Sequence, residues 1–184
     1  MFHQIRTLSN KWKIIRGMIS YGIIWPCASL IEQTLVEKKT FKNYDWMKCL
    51  RFSLFGAFFM GPSLYVWFRL AEIMWPKRSL KTTLCKVCTE STSYDPMSIT
   101  TFLFTMSLME GKSYEEAKNE VKTKFFETYK VGLMSWPLIQ VVNFTFVPLK
   151  NQVVFVSCFS MIWTSFLAYR IHLRTQSLEK MNGK

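Results

Sequence analysis

Apolar and charged positions fall into long blocks along this chain instead of alternating with a short helical or strand period. Three stretches carry no charged residue and approach spanning length: residues 52–68, 131–149 and 151–169. Two shorter uncharged stretches cover residues 17–31 and 96–109. A hydrocarbon core about 30 Å thick takes roughly 20 helical residues, so the long stretches predict spans and the short ones are ambiguous alone. A soluble core can hide one such stretch, but five within 184 residues leave too little polar chain to cover them. The pattern predicts an all-α, polytopic helical membrane protein. It forms a single integral domain over residues 1–184, with about four to five kinked transmembrane helices and an amphipathic surface helix.

Small residues and prolines punctuate the blocks. Ser53, Ala57 and Gly61 recur every fourth residue, a face that lets a neighbouring helix approach closely. Pro62 follows at once and predicts a kink. Trp67, Arg69 and Trp75 read as anchors at the far interface. The first short stretch holds Gly17, Gly22, Ser29 and a central Pro26. Residues 75–95 are basic, then rich in Ser, Thr and Cys, and read as a loop. Ser113-Tyr114-Glu115-Glu116 reads as a capping box. It starts a helix with Tyr114, Ala117, Val121 and Phe125 on one stripe. That helix is expected to lie along the membrane surface, or equally to pack on the protein in solvent, before the chain enters the bilayer at Val131. Lys150 alone separates the last two stretches, so the break between them is expected within residues 148–152.

The least ordinary stretch is WPLIQVVNFTFVP at residues 136–148. Helical spacing of four, three and four puts Trp136, Gln140, Asn143 and Val147 on one face. Two amides facing lipid tails would cost free energy, so this face turns toward protein or water. Ser157, Ser160 and Thr164 share a face in the last stretch. These five polar residues either line a path for solutes or join helices through hydrogen bonds.

Charge changes the picture only slightly. Against 12 acidic side chains stand 24 basic ones, a net charge of +12. In a soluble protein this would suggest nucleic acid. Here the basic residues flank the apolar stretches, where anionic head groups attract them. The first acidic residue is Glu32, and Arg6, Lys11, Lys13 and Arg16 alternate with apolar positions. Residues 1–16 thus form a basic amphipathic segment, which is how a mitochondrial address looks or how an ordinary positive flank looks. Residues 170–184 form a basic tail. Basic residues on every connection leave orientation undetermined.

Catalytic constellations are missing. The histidines, His3 and His172, stand at opposite ends, and no phosphate-binding glycine loop occurs. Cys85 and Cys88 make one C-x-x-C, without the second pair or histidines that a structural zinc site needs. The expectation is a protein that is not an enzyme and needs no cofactor.

Several motifs occur in a familiar order. Asp45, Arg51 and Gly56 precede Gly61-Pro62-x-x-Tyr65-x-Trp67-Phe68; Lys86, Glu90 and Pro96 follow. Trp136-Pro137-x-x-Gln140-x-x-Asn143-Phe144-x-x-Val147-Pro148 and then Trp163 complete the set. Along almost its whole length the chain resembles the Mpv-seventeen and 22-kilodalton peroxisomal membrane protein family. It departs from the family pattern at Tyr65, where histidine is usual, at Glu90-Ser91 in place of Asp-Gln, and at Gln152 in place of arginine. The resemblance implies four or so transmembrane helices in the mitochondrial inner membrane, or alternatively the peroxisomal membrane. It also implies a weakly selective channel for small solutes, linked to mitochondrial DNA upkeep and oxidative stress; some relatives look tied instead to mitochondrial ribosome assembly. The expected partners are the lipid bilayer, a second copy of the chain and, on the scaffold alternative, the mitochondrial ribosome. Direct DNA binding is not expected.

Overall fold

Hydrocarbon offers backbone N–H and C=O groups no partners, so each apolar stretch must satisfy its own backbone as a helix. The computed structural model of the chain describes residues 2–35, 37–77 and 79–162, with side chains from residue 12 onward, and among these all regular structure is helical. Helix α1 is Phe2–Leu35 and runs through Pro26. Helix α2 (Trp46–Phe55) continues through a π turn (Gly56–Met60) into α3 (Gly61–Met74). Helix α4 (Leu80–Thr89) continues likewise through a second π turn (Glu90–Tyr94) into α5 (Asp95–Met109). Helix α6 is Tyr114–Phe146, with Pro137 inside it. Helix α7 (Leu149–Ile162) is the last described element. Residues 12–35 and 46–74 are long and apolar enough to cross a membrane, and α7 is a shorter apolar helix. Trp163, Thr164 and the basic tail lie outside the described residues.

The irregularity expected at Pro62 takes the form of a π turn, and the same device recurs before Pro96. In both places a five-residue π turn ends two residues before a proline that sits in the first turn of the next helix. A proline supplies no N–H and its ring crowds the carbonyl four residues back, so a wider turn ahead of it relieves both problems.

The small-residue face does what its spacing predicted. A Cβ added to Gly61 would stand 2.9 Å from backbone atoms of Gly17 and Met18, and one on Gly22 would stand 3.2 Å from Ala57 Cβ. Ser53 Oγ donates to the Gly22 carbonyl at 2.7 Å. Helix α1 therefore lies nearly backbone to backbone on α2, the first π turn and α3. Helix α7 runs beside α1 in the same direction: Arg16 donates to Asn151 (3.2 Å), the Ser20 and Ser157 hydroxyls meet, and Trp25 Nε1 donates to Ser160 (3.3 Å).

Four local expectations need correction. Residues 80–94 are helical instead of looped, which puts Cys85 and Cys88 on α4. The hydroxyls that suggested a loop bond back to their own helix, Thr89 to the Cys85 carbonyl (2.9 Å) and Thr92 to the Cys88 carbonyl (2.8 Å). The capping box at Ser113 is present, but the amphipathic helix it starts does not end before Val131. It runs straight on as part of α6, because nothing near Lys130 breaks a helix, and its buried Ala117 and the Tyr114–Phe104 ring contact (5.5 Å) set it against the protein. Trp67 is buried in the core, not an interface anchor, its ring stacked on Tyr94. The break between α6 and α7 is tighter than 148–152, confined to Val147 and Pro148, where Gln152 Nε2 donates to the Val147 carbonyl at 3.2 Å.

Candidate functional site

The face of α6 that carries Gln140 and Asn143 turns inward. Asn143 is 0% exposed and Gln140 4%, and across from them Glu90, at the start of the second π turn, is 2% exposed. Asn143 Nδ2 donates to Gln140 Oε1 at 2.9 Å, and Gln140 Nε2 donates to Glu90 Oε1. Residues from two separate motifs thus meet in one buried chain of an acid and two amides. The Trp67 indole lies against the Glu90 carboxyl from α3. Asn143 Oδ1 is buried without a hydrogen-bond partner; Glu90 Oε2 and Trp67 Nε1 are buried too, and the contact between that carboxyl and that indole falls short of good hydrogen-bond geometry.

The π turn supports this cluster from several sides. Tyr129 donates its hydroxyl to the Ser91 carbonyl at 2.8 Å. Tyr94 stacks on Trp67 with centroids 5.9 Å apart and shares a 2.8 Å hydrogen bond with Ser63. One turn before Glu90, Lys86 pairs with Glu72 at 2.7 Å and lies 5.6 Å above the Phe144 ring. Phe144 in turn meets Phe68 edge-on at 5.5 Å. Lys86 therefore serves Glu72, and Glu90 is held by neutral groups.

The remaining motif residues are mostly structural. Asp45 caps α2, its side chain accepting from the Lys48 N–H (2.8 Å) while its backbone exchanges hydrogen bonds with Gln33. Gly61 makes the helix contact and Pro62 opens α3. Trp136 packs on the core, Pro137 sits within α6 and Pro148 forms the α6–α7 turn. Arg51 is half-buried on α2. Ser157 and Ser160 are buried against α1, whereas Gln140 and Asn143 join Glu90, so the four of these polar residues that are described divide between two places. Sequence reasoning missed Glu90 as the focus of the cluster, and missed Ser20, Trp25 and Gln33 as partners. The four-residue spacing of Lys86 and Glu90 was the available signal. Among the described residues no three His, Cys, Asp or Glu side chains gather as a metal site. The cluster offers a carboxylate and amide oxygens to a hydrogen-bond donor or a cation, and no nucleophile paired with a base.

Helices interrupted by π turns and prolines and joined by buried polar contacts, two of them long and apolar enough to span a bilayer, define a polytopic helical membrane protein. The family model described as "Mpv17 / PMP22 family" matches residues 107–168, from the end of α5 through α7. A protein of Caenorhabditis elegans, "Mitochondrial inner membrane protein Mpv17", is 31% identical over 70% of this chain and 71% of its own length. "Protein sym1" of Aspergillus oryzae is 28% identical over 91% of this chain and 96% of its own. The rat "Mitochondrial inner membrane protein Mpv17" is 23% identical over 92% and 96%. No solved structure matches. The chain belongs to the Mpv17 / PMP22 family, and it is a mitochondrial inner membrane protein.

Proposed function

We propose that this protein is a channel-like protein passing small solutes with weak selectivity, and that it catalyses no reaction. The observation that carries this reading is the Glu90–Gln140–Asn143 chain, with the Asn143 acceptor oxygen left unpartnered inside an apolar bundle. Ionisable side chains inside a membrane domain are costly and mark solute or ion pathways. The cluster as it stands is shut, since Gln140 bridges the other two. A π turn is a weak point in a helix and a common functional one, so parting the second π turn from α6 is the natural way to open it. The test is reconstitution of the pure protein in planar bilayers. Conductance above the lipid background is expected, altered in Gln140→Leu. Silence in the wild type and no effect of the substitution would end the channel reading.

A second reading, a non-conducting scaffold, draws on a different observation. Helix α6 has 33 residues, about 50 Å, against a hydrocarbon core of about 30 Å. Its first half carries exposed Lys118, Lys122, Lys124 and Phe126. Such an arm suits the docking of soluble machinery such as the mitochondrial ribosome. Co-sedimentation with ribosomal subunits at moderate salt, lost on changing the three lysines to glutamine, would support it; protein that never sediments with them would remove it.

A further inference from the structure

A groove of about 540 Å³ opens on the flank of the bundle, lined by Phe58, Pro62, Val66, Leu70, Ser93 and Met97. Both π turns contribute, Phe58 from the first and Ser93 from the second. Trp67 and Tyr94, stacked on each other, also line it. The Tyr94 hydroxyl there is already bonded to Ser63, and the Trp67 indole nitrogen is buried against the Glu90 carboxyl, so neither presents a polar atom to a ligand in the groove. Phe58, Val66, Leu70 and Met97 are exposed, so the opening faces outward along a segment of spanning length.

The groove has the length of one leaflet. Leu70 follows Phe58 by twelve residues, about 18 Å of helix. Half of a hydrocarbon core is about 15 Å. Beyond Leu70 the exposed stripe continues through Ile73 toward Lys77, and Lys81 stands in the first turn of α4. Both lysines are exposed, and neither joins an ion pair among the described residues. An apolar trough on α3, with two exposed cations in the connection and first helical turn that follow it, matches the chemistry of an anionic amphiphile.

We propose that this groove holds one acyl chain of an anionic phospholipid, with the head group at Lys77 and Lys81. Hydrocarbon in the trough adds dispersion contacts that the open groove lacks. The lysines then select head-group charge, since each basic residue near the surface favours anionic lipid.

The test is native mass spectrometry of the full-length protein released from bilayer discs made of equal parts phosphatidylglycerol and phosphatidylcholine. One retained phosphatidylglycerol is expected, preferred over phosphatidylcholine on the order of tenfold. The double variant Lys77→Gln, Lys81→Gln should bind both lipids about equally. Ser93→Phe fills the groove from an exposed position and should lose the bound lipid, while Ser93→Ala keeps it; Met97→Trp serves as a second filling variant. Equal retention of the two lipids by the wild type would overturn the proposal. So would lipid that persists in both filling variants. A two-chain complex that the filling variants dissociate would give the groove to a second copy instead.

Discussion

Asn143 has no exposed surface, yet one of its polar atoms has no partner; Gln140 uses both ends of its amide. Gln140 is therefore the residue on which the cluster depends. Hydrogen bonds between membrane helices average about 0.6 kcal/mol, because the separated helices also find partners. Gln140→Leu does more than remove one bond: it strands a buried carboxyl and a buried amide together. Stranded buried polar groups cost about 1–3 kcal/mol each, more when charged. The expected loss is about 2–6 kcal/mol, read by thermal or denaturant unfolding in detergent. Glu90→Gln retains an oxygen to accept from Gln140 and should cost under about 1 kcal/mol. Equal losses in the two variants would mean that the Gln140–Glu90 bond is not what holds α6 against the π turn. Ser157 makes the contrasting case, since its hydroxyl also bonds the Val154 carbonyl of its own helix (2.7 Å). Ser157 thus joins helices with little at stake.

Among the elements, the α1–α3 crossing and the start of α6 obey different physics. At the crossing, a methyl group on Gly61 would meet backbone at 2.9 Å, and backbone has no rotamer to escape through. Gly61→Ala is expected to destabilise by about 1–3 kcal/mol, as overpacking does. At Gly132 the nearest atom to an added Cβ is Trp136 Cδ1 at 3.5 Å, an ordinary contact. Gly132→Ala should stabilise α6 by up to about 1 kcal/mol through helix propensity. Opposite shifts of the unfolding midpoint check the pair. At the start of α6 the forces are electrostatic and pH-dependent. Hydrogen bonds from the Ser113 backbone and side chain hold Glu116 below its ordinary value of 4.5, and bonds from Lys112 and Lys124 do the same for Glu120. A depressed carboxyl stabilises the folded form fully above its unfolded value and loses that contribution as pH falls through the folded one. Fraying of the first turns of α6 is thus expected below about pH 4.5, as rising mobility of a spin label at Asn119. Glu116→Gln should remove the capping part of that pH dependence.

For the molecule as a whole, the uncharged runs revealed the helices because lipid solubility is a property of composition. Ser53, Ala57 and Gly61 revealed the crossing because close approach demands small side chains. Residues 80–94 were not legible: whether Ser and Thr hydroxyls bond their own helix or a turn depends on neighbours far away in sequence. The same holds for Glu90, whose partner lies fifty residues on and is recognisable only once α6 turns its amides inward. The directions of the assembled helices predict a topology that basic residues on every connection could not. Helices α1 and α7 run the same way, and α2–α3, α4–α5 and α6 alternate between them through short connections. Crossing at each pass puts the connection at residues 37–45 and the charged first half of α6 on one side of the membrane. Residues 75–77, after α3, and the turn at Val147–Pro148 fall on the other. In a background with the five cysteines replaced, Lys42→Cys and Lys118→Cys should react together with a membrane-impermeant maleimide on one side of the inner membrane. Lys77→Cys and Lys150→Cys should react together only from the opposite side. Labelling of Lys77→Cys and Lys118→Cys from the same side would mean that α4–α5 does not cross. The Glu90 cluster, which lies between that segment and α6, would then sit at the membrane surface, where a buried carboxyl has no bearing on passage through the bilayer.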